Sequence, residues 1–196
     1  MSTGQTADET RSRILREAER LFRHYGYSKT TVAEIASACG MSSANVYRFF
    51  ASKSDINEAI CDRIISDLEA QLHKIAISDA PASIRLTEFI ELIGRHTVET
   101  LIEEKKVHDM VVVAMEENWG AIERHLQLTE VMIADIIASG VASGEFKKVD
   151  VPQTAKCVHC AIACLKHPVV VAQCRGDPNV ATPSEMASFV LSALKA

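Results

Sequence analysis

The 196-residue chain has no apolar run near the ~20 residues that a membrane span needs. The longest runs, such as Met110 to Met115, fall far short, and no membrane partner is expected. The opening MSTGQTADET is polar and lacks the apolar core of a secretory signal, which makes the cytoplasm the expected location. No stretch alternates polar and apolar residues with period two, no glycine-rich loop could cradle a phosphate, and no internal repeat is visible. Glu103-Glu104 and Glu116-Glu117 are adjacent on helical stretches and point apart, and no nucleophile pairs with a base. An enzyme is therefore not expected, nor a cofactor. Positive charge is scarce too: 21 Lys/Arg face 26 Asp/Glu, a net charge of −5. The deficit is uneven, because residues 1–60 carry eight Lys/Arg against seven Asp/Glu and the remainder 13 against 19. A nucleic-acid partner for the first 60 residues stays open, its affinity depending on where Arg11, Arg13, Arg48 and Lys53 project.

What is present is helical periodicity, sharpest from Thr30 to Lys53, TTVAEIASACGMSSANVYRFFASK. Thr31 is an N-cap with Glu34 three residues on, so hydroxyl and carboxylate can satisfy two backbone N–H groups reciprocally. Val32, Ile35 and Ala36 share a face, and Cys39-Gly40-Met41 interrupts the helix at a glycine able to reverse the chain. Ser42 caps a second short helix with Val46 and Phe50 inward and Ser43, Ala44, Tyr47 and Arg48 outward. A small-residue tip followed by an aromatic hydroxyl and a cation suits a helix in the DNA major groove.

The pattern Thr31, Ile35-Ala36, Gly40-Met41-Ser42, Val46-Tyr47, Phe50 and Lys53 resembles the DNA-binding signature of the TetR (tetracycline repressor) family of bacterial transcription regulators. Phe49 stands where many members carry a histidine that can touch a phosphate. The resemblance implies an all-α fold of about nine main helices. Residues 1–54 would form a three-helix helix-turn-helix DNA-binding domain, and residues 55–196 a helical ligand-binding and dimerisation domain, joined by a helix from 52 to about 77. It also implies a ligand-responsive regulator, usually a repressor, that binds a pseudo-palindromic double-stranded DNA operator as a homodimer and is released by a small-molecule effector. Thr31, Tyr47 and Lys53 would then hold phosphates. Beyond the capping Ser42, Ser43, Ala44, Asn45 and Arg48 would meet base edges or adjacent backbone. Lys53 is at the first position of its helix, where a cation opposes the helix dipole at a cost of a few tenths of a kcal/mol; a phosphate bound there would attract ammonium and free N–H groups alike.

Elsewhere the spacing predicts a first helix from Thr6 to about His24, burying Ile14, Leu15, Ala18, Leu21, Phe22 and Tyr25. Further helices are expected over Ile84–Leu101, Val107–Glu117, Asn118–Ser143 and Asp150–Lys166, with Phe89, Ile90, Ile93, Val98 and Leu101 buried in the first of these. Pro168 should break the chain into a short apolar piece, and Thr182-Pro183-Ser184-Glu185 starts the last helix. The ligand-cavity candidates are Phe89, Ile93, His96, Met110, Met115, Trp119 and Met132, against a plain core reading of the same stripe. Val158, Ala161, Ile162, Leu165, Phe189, Val190 and Leu194 are candidates for a dimer face. Cys157, Cys160 and Cys164 fall on one helix face, with His159, His167 and Cys174 nearby. They could serve a thiol- or soft-metal-responsive sensor, or act as small buried hydrophobes; with no second CxxC, no metal site is assigned.

Overall fold

A computed structural model describes residues 3–102, 105–117, 119–174 and 176–195; Glu103, Glu104, Asn118 and Arg175 lie outside them, as do the side chains of Leu101 and Trp119. Among the described residues there are eleven helices, nine of them seven residues or longer, and no strand. The all-α expectation holds. In order they are α1 (Thr3–Tyr25), α2 (Val32–Ala38), α3 (Ser43–Val46), α4 (Lys53–Ala76), α5 (Ala82–His96), α6 (Lys105–Glu117), α7 (Trp119–Ser143), α8 (Val151–Ala161), α9 (Ala163–Lys166), α10 (Pro168–Cys174) and α11 (Pro183–Leu194). A π-helical segment, Thr97–Ile102, follows α5 directly.

The chain forms two compact units. The first takes the residues up to Ile64 together with α6; the second runs from Ile65 through the π-helical segment and again from Gly120 onward. Contact thus divides the chain elsewhere than the functional boundary expected at residue 54. In the first unit α1 buries Ile14, Leu15, Ala18, Leu21 and Phe22 as its spacing predicts, but Tyr25 is 56% exposed and lies edge-on to His24 instead. The helix also begins three residues before Thr6. The first half of α4 buries Ile56, Asn57, Ile60 and Cys61, and α6 buries Val107, Met110 and Ala114. Asn57 is the polar member of that layer: its Nδ2 donates to the Met110 carbonyl at 3.0 Å, and the Cys61 sulfur lies 3.9 Å from the same oxygen. Burial pushes the Cys61 thiol up to about 12, with Asp62, Glu19 and Glu58 adding to the effect.

The second unit closes a core of Leu72, Leu86, Phe89, Ile90, Ile133, Ile136, Ile162 and Leu194, among others. Two of its helix ends are satisfied by side chains distant in sequence. Pro81 supplies no side-chain cap to α5, and the Glu145 carboxylate accepts from the Ala82 and Ser83 amides at 2.7 and 3.0 Å. The Ser83 hydroxyl, and after it these amide bonds, hold the Glu145 carboxyl below its ordinary range. Arg85, 8% exposed, donates to the Ala76 carbonyl at the end of α4 at 2.7 Å. The stretch 122–143 of α7 is, by length and composition, long and apolar enough to cross a membrane; here its apolar side chains Met132, Ile133, Ile136 and Ile137 are buried in this core.

Three helices depart from the periodicity. The α5 ladder stops at His96 and widens into the π-helical turn, where Thr97 rather than Val98 is buried and bonds the Ile93 carbonyl at 2.9 Å. The helix expected to reach Lys166 breaks at Ile162 (ψ 2°). Pro168 does not merely break the chain: it starts α10, its ring forcing the preceding His167 into an extended conformation (ψ 112°).

Packing is closest at two helical glycines. A Cβ on Gly140 would lie 2.2 Å from the Phe146 ring, itself 3% exposed, and one on Gly94 would lie 2.5 Å from the Pro183 ring. Gly140→Ala is expected to destabilise the protein by about 1–3 kcal/mol, read as a lower urea midpoint; an unchanged midpoint would show that Phe146 can move aside.

Candidate nucleic-acid interface

The helix-turn-helix is built from its ends. Thr31 and Glu34 form the expected capping box: Glu34 accepts from the Thr31 amide at 2.7 Å and its hydroxyl at 2.8 Å, and returns its own amide to the Thr31 oxygen at 3.2 Å. Those bonds hold the Glu34 carboxyl below its usual value. At the other end Gly40 takes φ +65°, its amide bonds the Ser37 carbonyl at 3.0 Å and the Met41 amide bonds Ala36 at 2.9 Å. This paired closure satisfies the last carbonyls of α2 and turns the chain toward α3. Ser42 accepts from the Asn45 amide at 3.3 Å to start α3, which runs for only four residues before continuing as turns to Phe50.

Val46 and Phe50 are buried, and Arg11 of α1 lies over the Phe50 ring at 4.8 Å from its centroid. Ala44, Tyr47 and Arg48 are exposed together, with Tyr47 at 51%, while Ser43 is half-buried. Asn45 is half-buried as well, its amide nitrogen 3.6 Å from the Met41 sulfur. The outward face therefore consists of the exposed cap Ser42, a methyl group, a phenol and a guanidinium. The Thr31 hydroxyl is exposed, but its single proton is engaged by Glu34.

Lys53 has a role that its position in the sequence does not announce. Ser52 caps α4, accepting from the Asp55 amide at 3.0 Å. The Lys53 ammonium, next in line, donates to the Tyr27 carbonyl at 3.0 Å and the Thr30 carbonyl at 3.1 Å and sits 4.2 Å from the centre of the Tyr27 ring. It turns away from the unfavourable helix dipole to fasten the loop between α1 and α2, which leaves one N–H for an outside acceptor. Thr30, 2% exposed, continues the tie through its hydroxyl to the Gly26 carbonyl at 2.9 Å. No local pattern signals these contacts, which join residues 23 and 26 positions apart.

The other predicted groups fare differently. Phe89, Ile93 and Met132 are buried in the second unit, where the Nδ1 of His96 is buried without a partner among the described residues; Met110, Met115 and Trp119 belong to the first unit. The structure therefore does not gather the seven ligand candidates within one unit. A cleft of 680 Å³ in the second unit, lined by Asp79, Pro81, Arg85, Ser139 and Glu145 among others, includes none of them. Five of the seven dimer candidates, Val158, Ile162, Leu165, Val190 and Leu194, are buried in the second unit's own core; Ala161 is half-buried and Phe189 is 65% exposed. Cys157 and Cys160 are exposed and Cys164 and Cys174 half-buried, which corrects the reading of the first two as small buried hydrophobes. No group of three or more metal-ligating side chains comes together among the described residues.

Comparison with known proteins matches two stretches of the chain. Residues 14–60 match the bacterial regulatory proteins of the tetR family, and residues 82–186 match the tetracyclin repressor-like C-terminal domain, a stretch longer than half the chain. The HTH-type transcriptional regulator TtgR of Pseudomonas putida is 36% identical over 62 residues, 32% of this chain and 30% of TtgR, so the match spans less than a third of that regulator. A transcriptional regulator from Cytophaga hutchinsonii superimposes with a TM-score of 0.70 at 25% identity, over 93% of this chain and 97% of that one. SmeT, a Stenotrophomonas maltophilia repressor whose complex with triclosan is known, does so with a TM-score of 0.65 over 96% and 92%, and at 16% identity shows the fold alone. With its N-terminal and C-terminal regions both matched and its helix-turn-helix formed as described, the chain belongs to the tetR family of bacterial helix-turn-helix regulators.

Proposed function

We propose that the protein is a ligand-responsive transcriptional repressor of the cytoplasm, binding a pseudo-palindromic operator in double-stranded DNA as a homodimer and leaving it when a small effector binds the C-terminal domain. The observation that carries the reading is the doubly capped helix-turn-helix, which leaves Ala44, Tyr47 and Arg48 on its water side. Ser43, Ala44, Asn45 and Arg48 would meet base edges or adjacent backbone. Tyr47 would hold a phosphate, with Thr31 and the remaining Lys53 N–H beside it. One recognition helix reads a half-site, so two copies are needed for a palindrome. The effector would favour one spacing of the two reading heads over another, for which a coupling of ~1–3 kcal/mol is typical. The exposure of Cys157 and Cys160 supports a second reading, a thiol-responsive regulator, which thiol titration of the folded protein separates from the first.

Retardation and footprinting of the DNA upstream of its own coding region should show protection of a two-fold site. A chain that retards this DNA no better than random DNA would sink the proposal. Tyr47→Phe and Arg48→Ala should each weaken operator binding, the first with little change in salt dependence and the second, if the guanidinium meets a phosphate, with a salt slope lower by about one. Ala44→Ser should instead change which sequences are preferred. Lys53→Met should differ from all of these, lowering the thermal midpoint together with DNA affinity. A Lys53→Met protein as stable as the parent would show that the loop tie carries no folding energy.

A further inference from the structure

The cleft of 680 Å³ in the second unit plays no part in the helix-turn-helix, and it brings together two unlike features of α5. One is the start of the helix. Pro81 offers it no side-chain cap, so the amides of Ala82 and Ser83, joined by the Ser83 hydroxyl, donate to the Glu145 carboxylate instead. Unpaired amides at a helix start, reinforced by the helix dipole, favour an anion. Here that anion is a side chain of the segment between α7 and α8.

The other feature is Arg85, one turn further along α5, which lines the same cleft and is more than nine-tenths buried. Its guanidinium donates to the Ala76 carbonyl at 2.7 Å and to the Ser139 hydroxyl at 2.5 Å, while its Nε is buried without a partner among the described residues. Both acceptors are uncharged. No ion pair among the described residues includes Arg85, so no carboxylate there, Glu145 included, lies within 4.0 Å of it. A guanidinium withdrawn from water without a counter-ion is costly, and a hydrogen-bonded anion relieves that cost. The cleft therefore holds a carboxylate at the amides and a buried cation that lacks one.

Glu145 can leave the amides without unfolding its segment. The next residue, Phe146, is buried against Gly140 and its amide bonds the Gly140 carbonyl at 2.9 Å; the Lys147 amide bonds the Leu194 carbonyl at 3.0 Å. With the backbone fixed in this way, withdrawing the half-buried carboxylate into water needs only a rotation of its own side chain. The tether that holds this carboxylate to the amides also keeps it from Arg85. An untethered acid has no such limit: its carboxylate can accept from the amides while its other oxygens accept from the guanidinium.

The rest of the lining selects among acids. The hydroxyls of Ser78, Ser139 and Ser143 and the exposed carboxylate of Asp79 border the cleft with Arg85, which offers a hydrocarbon tail little to pack on. Asp79 can accept from a ligand hydroxyl, and its charge disfavours a second carboxylate on the ligand.

We propose that this cleft binds a small hydroxylated monocarboxylic acid, whose carboxylate replaces that of Glu145 on the Ala82 and Ser83 amides and whose hydroxyls meet Arg85 and Asp79. The site lies wholly in the second unit and does not depend on the repressor reading.

The test is titration of the full-length, nitrogen-15-labelled protein with gluconate and lactate, each against its primary amide, followed through the backbone amide resonances. At millimolar concentration at least one acid should shift the Ala82 and Ser83 resonances, and its amide should bind about tenfold or more weakly. Glu145→Ala removes the resident carboxylate and should bind the same acid about tenfold more tightly than the parent, since the tethered competitor is gone. Arg85→Lys keeps a charge but loses the planar fork and should bind it more weakly. Acids that leave both resonances of the parent in place, an amide that binds as well as its acid, or a Glu145→Ala protein with no gain in affinity would each overturn the inference. The comparison of acid with amide on the parent needs no variant, so it decides the matter even where a variant does not fold. Retardation of operator DNA, measured separately, decides the repressor reading whichever way the acids behave.

Discussion

An ammonium withdrawn from water must find acceptors, and in this chain the Lys53 ammonium finds two loop carbonyls and an aromatic face. The geometry of the reading head follows from that requirement. The carbonyls of Tyr27 and Thr30 belong to the loop that delivers Thr31, the N-cap of α2, while Lys53 is the first residue of α4. One side chain thus fixes the entry to the helix-turn-helix to the start of the helix that leaves it. The capping box at Thr31, the glycine turn at Gly40 and the Ser42 cap then set the direction of α3 by local bonds, none of which alone would relate α2 to α4.

Much of this was legible in the residues because much of it is local. Thr31 with Glu34 and Thr182 with Glu185 are bonds across three positions, and each forms where its spacing predicts; Ser52 with Asp55 and Asp150 with Gln153 bond across the same interval. The same holds for the inward residues of α1 and α2, whose periodicity needs no knowledge of what covers them, apart from Tyr25 at a frayed end. Interactions closed over long stretches of chain were not legible. The cap of α5 comes from Glu145, 63 and 62 residues away, and nothing near Ala82 points to it. The break at Ile162 and the π-helical turn after His96 arise where tertiary packing overrides an unbroken helical pattern.

Faces are legible only in part, for a related reason. Periodicity says which side of a helix is apolar, not whether the same chain or a second one covers it. Val158, Ile162, Leu165, Val190 and Leu194 were apolar at the right spacing for a partner and are covered by their own unit. Cys157 and Cys160, which composition places among small hydrophobes, lie on the side left uncovered.

The pairing of Asn57 and Cys61 with a single carbonyl of Met110 bears on how such a protein can be recombined. The first unit is written in two separate pieces of chain, since α4 supplies the amide and the thiol, whereas α6, more than forty residues later, supplies the oxygen they share. A crossover placed anywhere between them grafts a reading head onto a foreign α6, and the buried amide keeps its acceptor only where that helix holds the same register. Exchange of reading heads among relatives is therefore constrained at position 110 as much as within the helix-turn-helix, although a backbone oxygen leaves no mark in an alignment of side chains.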